Sequence, residues 1–235
     1  MLELRNIAKA YASGRKIFAG LSYALEDGAY VAIMGESGVG KSTLLNLIAG
    51  LDVPDTGEIV IDGVAVSSLD DDAATRLRRE KLGFVFQAFH VLPHLTLNQN
   101  VALPLLLNGA QAGFASERAE QMLAAVGLRD RGAHFPRQLS GGELQRVAIG
   151  RALIHHPKLI LADEPTGNLD PDTARDILML MRDEIRSNGA SAILVTHSRS
   201  AAATADHVLL LTKDGLHPLT ANLGDRPRAG DVRGS

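Results

Sequence analysis

The chain has 235 residues (25.0 kDa), 46% of them hydrophobic and 22% charged, enough for one large α/β domain with a sizeable core. Its formal net charge of −3 excludes the basic footprint of a nucleic-acid binder, and the lack of cysteine excludes disulfide frameworks and thiolate metal sites. The opening M-L-E-L-R-N lacks the apolar centre of a signal peptide, and no apolar run approaches the roughly 18 residues of a membrane span. A soluble chain in a reducing cytoplasm, with no direct membrane span, is the expectation.

Leu2, Leu4 and Ile7 open an alternating strand that ends near Tyr11. A turn at Ser13-Gly14 leads to a second strand over 17–25, and Asp27-Gly28 turns the chain into a core strand at 30–34. Leu44, Leu45, Leu47 and Ile48 follow at helical spacing, with Gly50 as the stop. Residues 58–61 and the Asp62-Gly63 turn predict a hairpin, so the antiparallel pieces form a small β layer beside the main sheet. A helix over 70–80 is acidic first and basic later, as its dipole favours, and a strand over 82–86 ends at Gln87. From 88 to 113 the pattern breaks into short pieces rich in Leu, Pro and His. Helices are expected over 116–126, 142–155, 171–188 and 200–205, with strands at 159–162, 191–195 and, last, 207–212. The tail after about 219 is expected to be mobile. Strands alternating with helices after Tyr30 predict a mostly parallel sheet covered on both faces.

The chemistry is concentrated in three runs. Gly35-Glu36-Ser37-Gly38-Val39-Gly40-Lys41-Ser42-Thr43 lies between an apolar strand and a helix, the context of a phosphate-binding loop. Its glycines let successive backbone N–H groups turn into one concavity, and the helix adds the positive end of its dipole. Lys41 is expected to reach the β/γ-phosphates and the Ser42 hydroxyl to ligate Mg²⁺. Next, Leu159-Ile160-Leu161-Ala162 delivers Asp163 and Glu164 at the C-terminal end of a buried strand, where ligands bind in open α/β sheets. Asp163 is expected to hold Mg²⁺ and Glu164 to act as general base toward water. The third run, Leu139-Ser140-Gly141-Gly142-Glu143, reads structurally as a capping box from Ser140 to Glu143. Its two glycines are not needed for that box and bare backbone N–H groups, making a second anion site. Two phosphate-binding helix ends but one lysine-bearing loop point to nucleotides shared between two subunits.

With L-S-G-G-E-L-Q-R from Leu139 to Arg146 and L-I-L-A-D-E-P from Leu159 to Pro165 following the phosphate loop in order, the chain resembles the ATP-binding subunit of an ABC transporter over about residues 1–219. The resemblance implies a P-loop NTPase core with a mostly parallel sheet, an antiparallel β subdomain and an inserted helical subdomain at about 88–157. It implies ATP and Mg²⁺ as ligands, and it supplies further residues. Tyr11 matches the aromatic that stacks on adenine; Gln87 matches the glutamine that touches Mg²⁺ and the lytic water; His197 matches the histidine at the γ-phosphate. Asp170 matches the loop that crosses to the other subunit, where Ser140, Gly141 and Gly142 also act in trans; an ordinary helix cap before Pro171 is its alternative. Ser198 stands where many members carry Asp, and Glu143 where Gln is also common, but no catalytic position is vacated.

An active ATPase is therefore expected, a homodimer when ATP is bound, coupled to an integral membrane permease on the inner face of the cell membrane. Phe86 and the apolar stretch through Phe89, Val91, Leu92 and Leu95 either receive a helix of that partner or fill the helical subdomain's own core. The runs T-G-N-L-D and N-V-A-L-P-L-L-L resemble the lipoprotein-releasing and macrolide-exporting branch, which also holds a cell-division member. An ATP-dependent switch without solute transport is the alternative function.

Overall fold

In the computed structural model the described residues are 1–11, 14 and 16–219. Ser13 of the first expected turn and the expected mobile tail lie outside them.

Among the described residues the strands form two sheets. The smaller is antiparallel, ordered β2 (Lys16–Leu25), β1 (Leu2–Ala10), β4 (Thr56–Ile61), β5 (Val64–Ala65). Asp62 and Gly63 between β4 and β5 both have positive φ, 51° and 79°, the conformation a two-residue hairpin turn requires. The larger sheet is ordered β10 (Gly215–Pro218), β9 (His207–Thr212), β3 (Tyr30–Met34), β8 (Ser191–Val195), β7 (Leu159–Asp163), β6 (Leu82–Phe86). All of its pairings are parallel except β9 with β10, an antiparallel strand beyond the one expected to be last.

The central strands are apolar throughout because both faces are covered. In β7, Leu159 and Leu161 join one core cluster while Ile160 and Ala162 join the other. The first cluster packs α1 (Lys41–Ile48) and the inner side of the small sheet onto the large one. The second packs the opposite face under α3 (Leu97–Leu107), α4 (Ala112–Ala125), α5 (Gly141–Leu153) and α6 (Pro171–Ser187). The α2 helix (Asp71–Lys81) is capped by Asp70, and the short α7 (Arg199–Ala202) by Ser198.

The helical region departs furthest from the sequence expectation. The stretch 88–113 is not broken throughout: it contains the three-turn helix α3, and α4 begins at Ala112 rather than 116. Thr96 and Gln99 form a reciprocal capping box that starts α3, and fully buried Leu97 and Val101 anchor it. Asn100, also fully buried, receives the Leu92 N–H and donates to the carbonyls of Leu92, Leu95 and Thr96, tying the incoming loop to the helix.

Candidate functional site

The turn from β3 into α1 and the ends of β7 and β8 open into one cavity of about 330 Å³. Tyr11, Ile17, Ser37, Gly38, Gly40, Lys41, Ser42, Thr43, Asp163, Glu164 and His197 line it. Strand order explains the convergence: β3, β8 and β7 are adjacent and parallel, so their C-terminal ends share one edge.

Gly38 and Gly40 adopt positive φ, 75° and 114°, as a loop of inward-facing amides requires. Gly35 does not, contrary to the expectation that all three glycines serve backbone freedom. A Cβ there would lie 2.7 Å from the Leu211 carbonyl oxygen, so Gly35 is needed for close packing against β9. Gly40 is also the N-cap of α1 and offers no side-chain cap, leaving the first-turn N–H groups for a ligand.

Lys41 is 7% exposed, and its Nζ donates to the carbonyls of Gly35 and Glu36 at 2.8 and 2.9 Å. Burial lowers its pKa, and the nearby carboxylates of Glu164 and Asp163 oppose the shift. The ammonium is therefore held at the mouth of the loop with acids facing it. Ser42 donates to Asp163 Oδ2 at 2.9 Å, so a hydroxyl and a carboxylate from distant parts of the chain already meet. Two such hard oxygen donors fit Mg²⁺, which takes oxygen ligands and leaves the remaining positions to phosphate and water.

Glu164 has φ of 46°, an uncommon conformation for a residue with a Cβ. Its N–H donates to the Val195 carbonyl at 2.9 Å, and its carbonyl accepts from Gly167 N–H at 3.0 Å. The carboxylate is asymmetric: Oε2 accepts from the Thr196 hydroxyl at 3.1 Å, while Oε1 is buried without a hydrogen-bond partner among the described residues. His197 Nε2 stands 3.5 Å from Oε1. Tyr11, 47% exposed, places its hydroxyl 2.7 Å from Thr43 Oγ1, tethering its side chain to α1 at the cavity wall.

Other expected residues lie outside this cavity. Gln87 is exposed and engages Asn168 rather than Asp163 or Ser42. Glu36 and Val39 belong to the loop but line an adjoining depression. Asp170 caps α6 by accepting from Thr173 N–H at 3.0 Å, and hydrogen bonding from the Thr173 side chain, then from its N–H, lowers its pKa. Ser140 caps α5 in the expected box: its N–H donates to Glu143 Oε2 at 2.8 Å, and its hydroxyl accepts from Glu143 N–H. The bond to the Ser140 N–H lowers the pKa of Glu143. The glycines after Ser140 have a packing use the sequence did not disclose. A Cβ on Gly142 would lie 2.6 Å from Thr173 Cγ2, and one on Gly141 would lie 3.3 Å from Leu169 Cδ2. They let the start of α5 approach the start of α6.

Sequence reasoning passed over Asn168, Thr196 and Arg151. Arg151 on α5 donates to the carbonyls of Phe89 and His90, consecutive residues at positive φ just beyond Gln87. Thr196 carried a signal, being a hydroxyl at the end of β8 immediately before His197. Asn168 carried none outside its run. The apolar stretch after Gln87 divides: Val91 packs on the core, whereas Leu92 lines a groove of about 520 Å³ with Leu103, Pro104 and Leu107.

A glycine loop at a helix N-terminus, with its lysine, serine and a strand-end acid pair in one cavity, defines a P-loop nucleoside-triphosphate-binding domain. The chain matches the ABC transporter family over residues 18–167 and belongs to it. It is 45% identical over 222 residues to the lipoprotein-releasing system ATP-binding protein LolD of Xanthomonas euvesicatoria pv. vesicatoria, covering 93% of this chain and 91% of that one. It is 43% identical to the LolD protein of Maricaulis maris, covering 93% of this chain and 96% of that one. Among solved structures it resembles the dimeric post-hydrolysis state of the ATP-binding cassette MJ0796 bound to ADP and Pi. There the TM-score is 0.82 at 39% identity, over 92% of this chain and 97% of that one. The protein is the ATP-binding, ATP-hydrolysing subunit of an ABC transporter, with ATP and Mg²⁺ as its ligands. Among the described residues no helix is long and apolar enough to cross a membrane.

Proposed function

We propose that two copies of this chain close around two ATP molecules and drive a membrane permease that extracts or exports lipoproteins. The protein would sit on the inner face of the cell membrane, held there by that permease. The observation that carries the shared-site reading is the separation of its anion-binding parts. Lys41, Ser42, Asp163 and Glu164 meet in one cavity, whereas Ser140, Gly141, Gly142 and Asp170 do not line it. A second subunit would bring its Ser140 run to the open side of that cavity. The dimeric form of the similar cassette supports this arrangement.

In this reading Lys41 and the loop amides bind the β- and γ-phosphates. Glu164 takes a proton from the attacking water, a role worth roughly 10²–10⁴ in rate. His197 contacts the γ-phosphate. Ser42 and Asp163 would hold Mg²⁺, which supplies charge neutralisation on the phosphates. Gln87 would have to leave Asn168 to join them. ATP favours the closed pair because its γ-phosphate touches both halves, and hydrolysis removes that link. The lipoprotein assignment rests on relatives named for lipoprotein release, at 43–45% identity. The groove at Leu92, Leu103, Pro104 and Leu107, in the helical part near 88–157, is the surface offered to the permease.

The test is Glu164→Gln. The variant is expected to bind ATP, turn over very slowly and elute as a dimer only with ATP. A monomer under those conditions would count against Glu164 as base or against shared sites. Lys41→Ala should lose nucleotide affinity, and unaltered binding would refute the loop assignment.

A further inference from the structure

We propose that Thr196 is a positioning residue for hydrolysis, holding one oxygen of Glu164 so that the other is presented to the water. The inference rests on Glu164 being the base. Thr196 is 1% exposed, and its hydroxyl both accepts and donates a hydrogen bond. It accepts from Ser198 N–H at 3.0 Å, which orients its proton, and it donates that proton to Glu164 Oε2 at 3.1 Å.

The need for such a clamp follows from the chemistry of a carboxylate. Its two oxygens are equivalent until the protein distinguishes them, and rotation about the last side-chain bond is soft. The Glu164 backbone is fixed at φ 46° by its bonds to Val195 and Gly167, but those bonds do not set the carboxylate plane. Thr196 is the hydrogen-bond donor that breaks the symmetry. Oε2 is occupied by it, and Oε1 lies on the side of His197 with no hydrogen bond of its own among the described residues. The threonine is itself held: its N–H donates to the Ile33 carbonyl at 3.2 Å, so the clamp is anchored to β3, the strand that delivers the phosphate loop. Base and loop are thereby referred to the same strand. A small misplacement of a reacting group can cost about 10²-fold in rate, so the hydroxyl is expected to matter for turnover and not for binding.

The test compares Thr196→Ser, Thr196→Val and Thr196→Cys in the full chain, measuring steady-state ATP turnover and equilibrium ATP binding. Ser keeps the hydroxyl and is expected to retain kcat within about threefold. Val keeps the shape and removes the donor; kcat is expected to fall at least about tenfold with KM and ATP affinity within about twofold. Cys, a weak donor of similar size, should fall between them. The proposal is overturned if Val keeps the parental kcat, if Ser loses as much as Val, or if the change lies in KM alone. Should Val fail to fold, Cys at the parental rate overturns it instead. Glu164→Gln separates the two readings. A fully active Glu164→Gln removes the base assignment, whereas an inactive one beside an unaffected Thr196→Val removes only the clamp.

Discussion

Gln87 and Asn168 hold each other by two hydrogen bonds: the Gln87 side chain donates to Asn168 Oδ1 at 2.9 Å, and the Asn168 side chain donates to the Gln87 carbonyl at 3.1 Å. Both residues are exposed, and they come from the end of β6 and the loop before α6. Gly167 makes the approach possible, since a Cβ there would stand 2.8 Å from Gln87 Nε2. Asn168→Ala should release Gln87 at a cost of about 1 kcal/mol in stability, the worth of an ordinary exposed pair. If Gln87 must move to reach Mg²⁺, this variant will bind ATP with parental affinity but show an altered kcat. Denaturant unfolding and ATPase assays check both parts, and an unchanged kcat would mean the pairing is only structural.

Tyr11 makes one contact that can be separated from its stacking role. Its hydroxyl meets Thr43 at 2.7 Å, which is independent of any base lying on the ring. Tyr11→Phe should leave ATP affinity within about threefold, because stacking needs only the ring. Tyr11→Ala should weaken it about tenfold or more, in line with stacking worth about 1–3 kcal/mol per base. Fluorescent-nucleotide titration of the two variants decides the matter: equal losses would assign the effect to the Thr43 contact.

Most of the core architecture was legible because burial on both faces leaves its mark on short apolar strands, as in Ile160 to Ala162 and Ile193 to Val195. The α3 helix was not, since it carries apolar residues on all sides and Pro104 within it. Its start signal was nevertheless present in Thr96-x-x-Gln99. The phosphate loop and acid pair could be found by spacing alone because their chemistry is local. Gln87–Asn168 and Thr196–Glu164 could not, because each joins residues whose meeting depends on strand order. Gly35, Gly141 and Gly142 were legible as glycines but not as packing glycines, since the atoms that crowd them belong to Leu211, Leu169 and Thr173.

Gly40 is required twice, by conformation and by space. Its φ is 114°, and an added Cβ would collide with Ile17 Cγ2 and come 3.0 Å from Phe18 Cζ. Gly40→Ala should therefore lose about 2–4 kcal/mol by combining left-handed strain with overpacking, and should lose ATP binding as well. Gly20 supplies the control, for it has φ of 90° and a Cβ added there would meet nothing within 4 Å. Gly20→Ala should lose only about 1–2 kcal/mol and keep ATP affinity. Comparable losses in the two variants, read from denaturant midpoints, would show that space around the phosphate loop is not limiting.

His155 makes folding sensitive to mild acid. Its Nε2–H donates to the Leu82 carbonyl at 2.9 Å, while Nδ1 is buried without a hydrogen-bond partner among the described residues. Burial lowers its pKa from the ordinary 6.5, the Leu82 carbonyl opposes that shift, and neighbouring His156 adds to it. A second proton would go to Nδ1, where no described residue accepts it. Because the folded value lies below the unfolded one, the unfolded chain takes up the proton first as pH falls. The stabilisation is thus complete above about pH 6.5 and is lost as pH falls through the folded value. His155→Gln keeps a donor for Leu82 but cannot titrate. The stability advantage of the parent over this variant should shrink as the pH is lowered from about 7.5 to about 5.5, measured by urea unfolding. A difference that stays constant, or grows, across that range would refute the assignment.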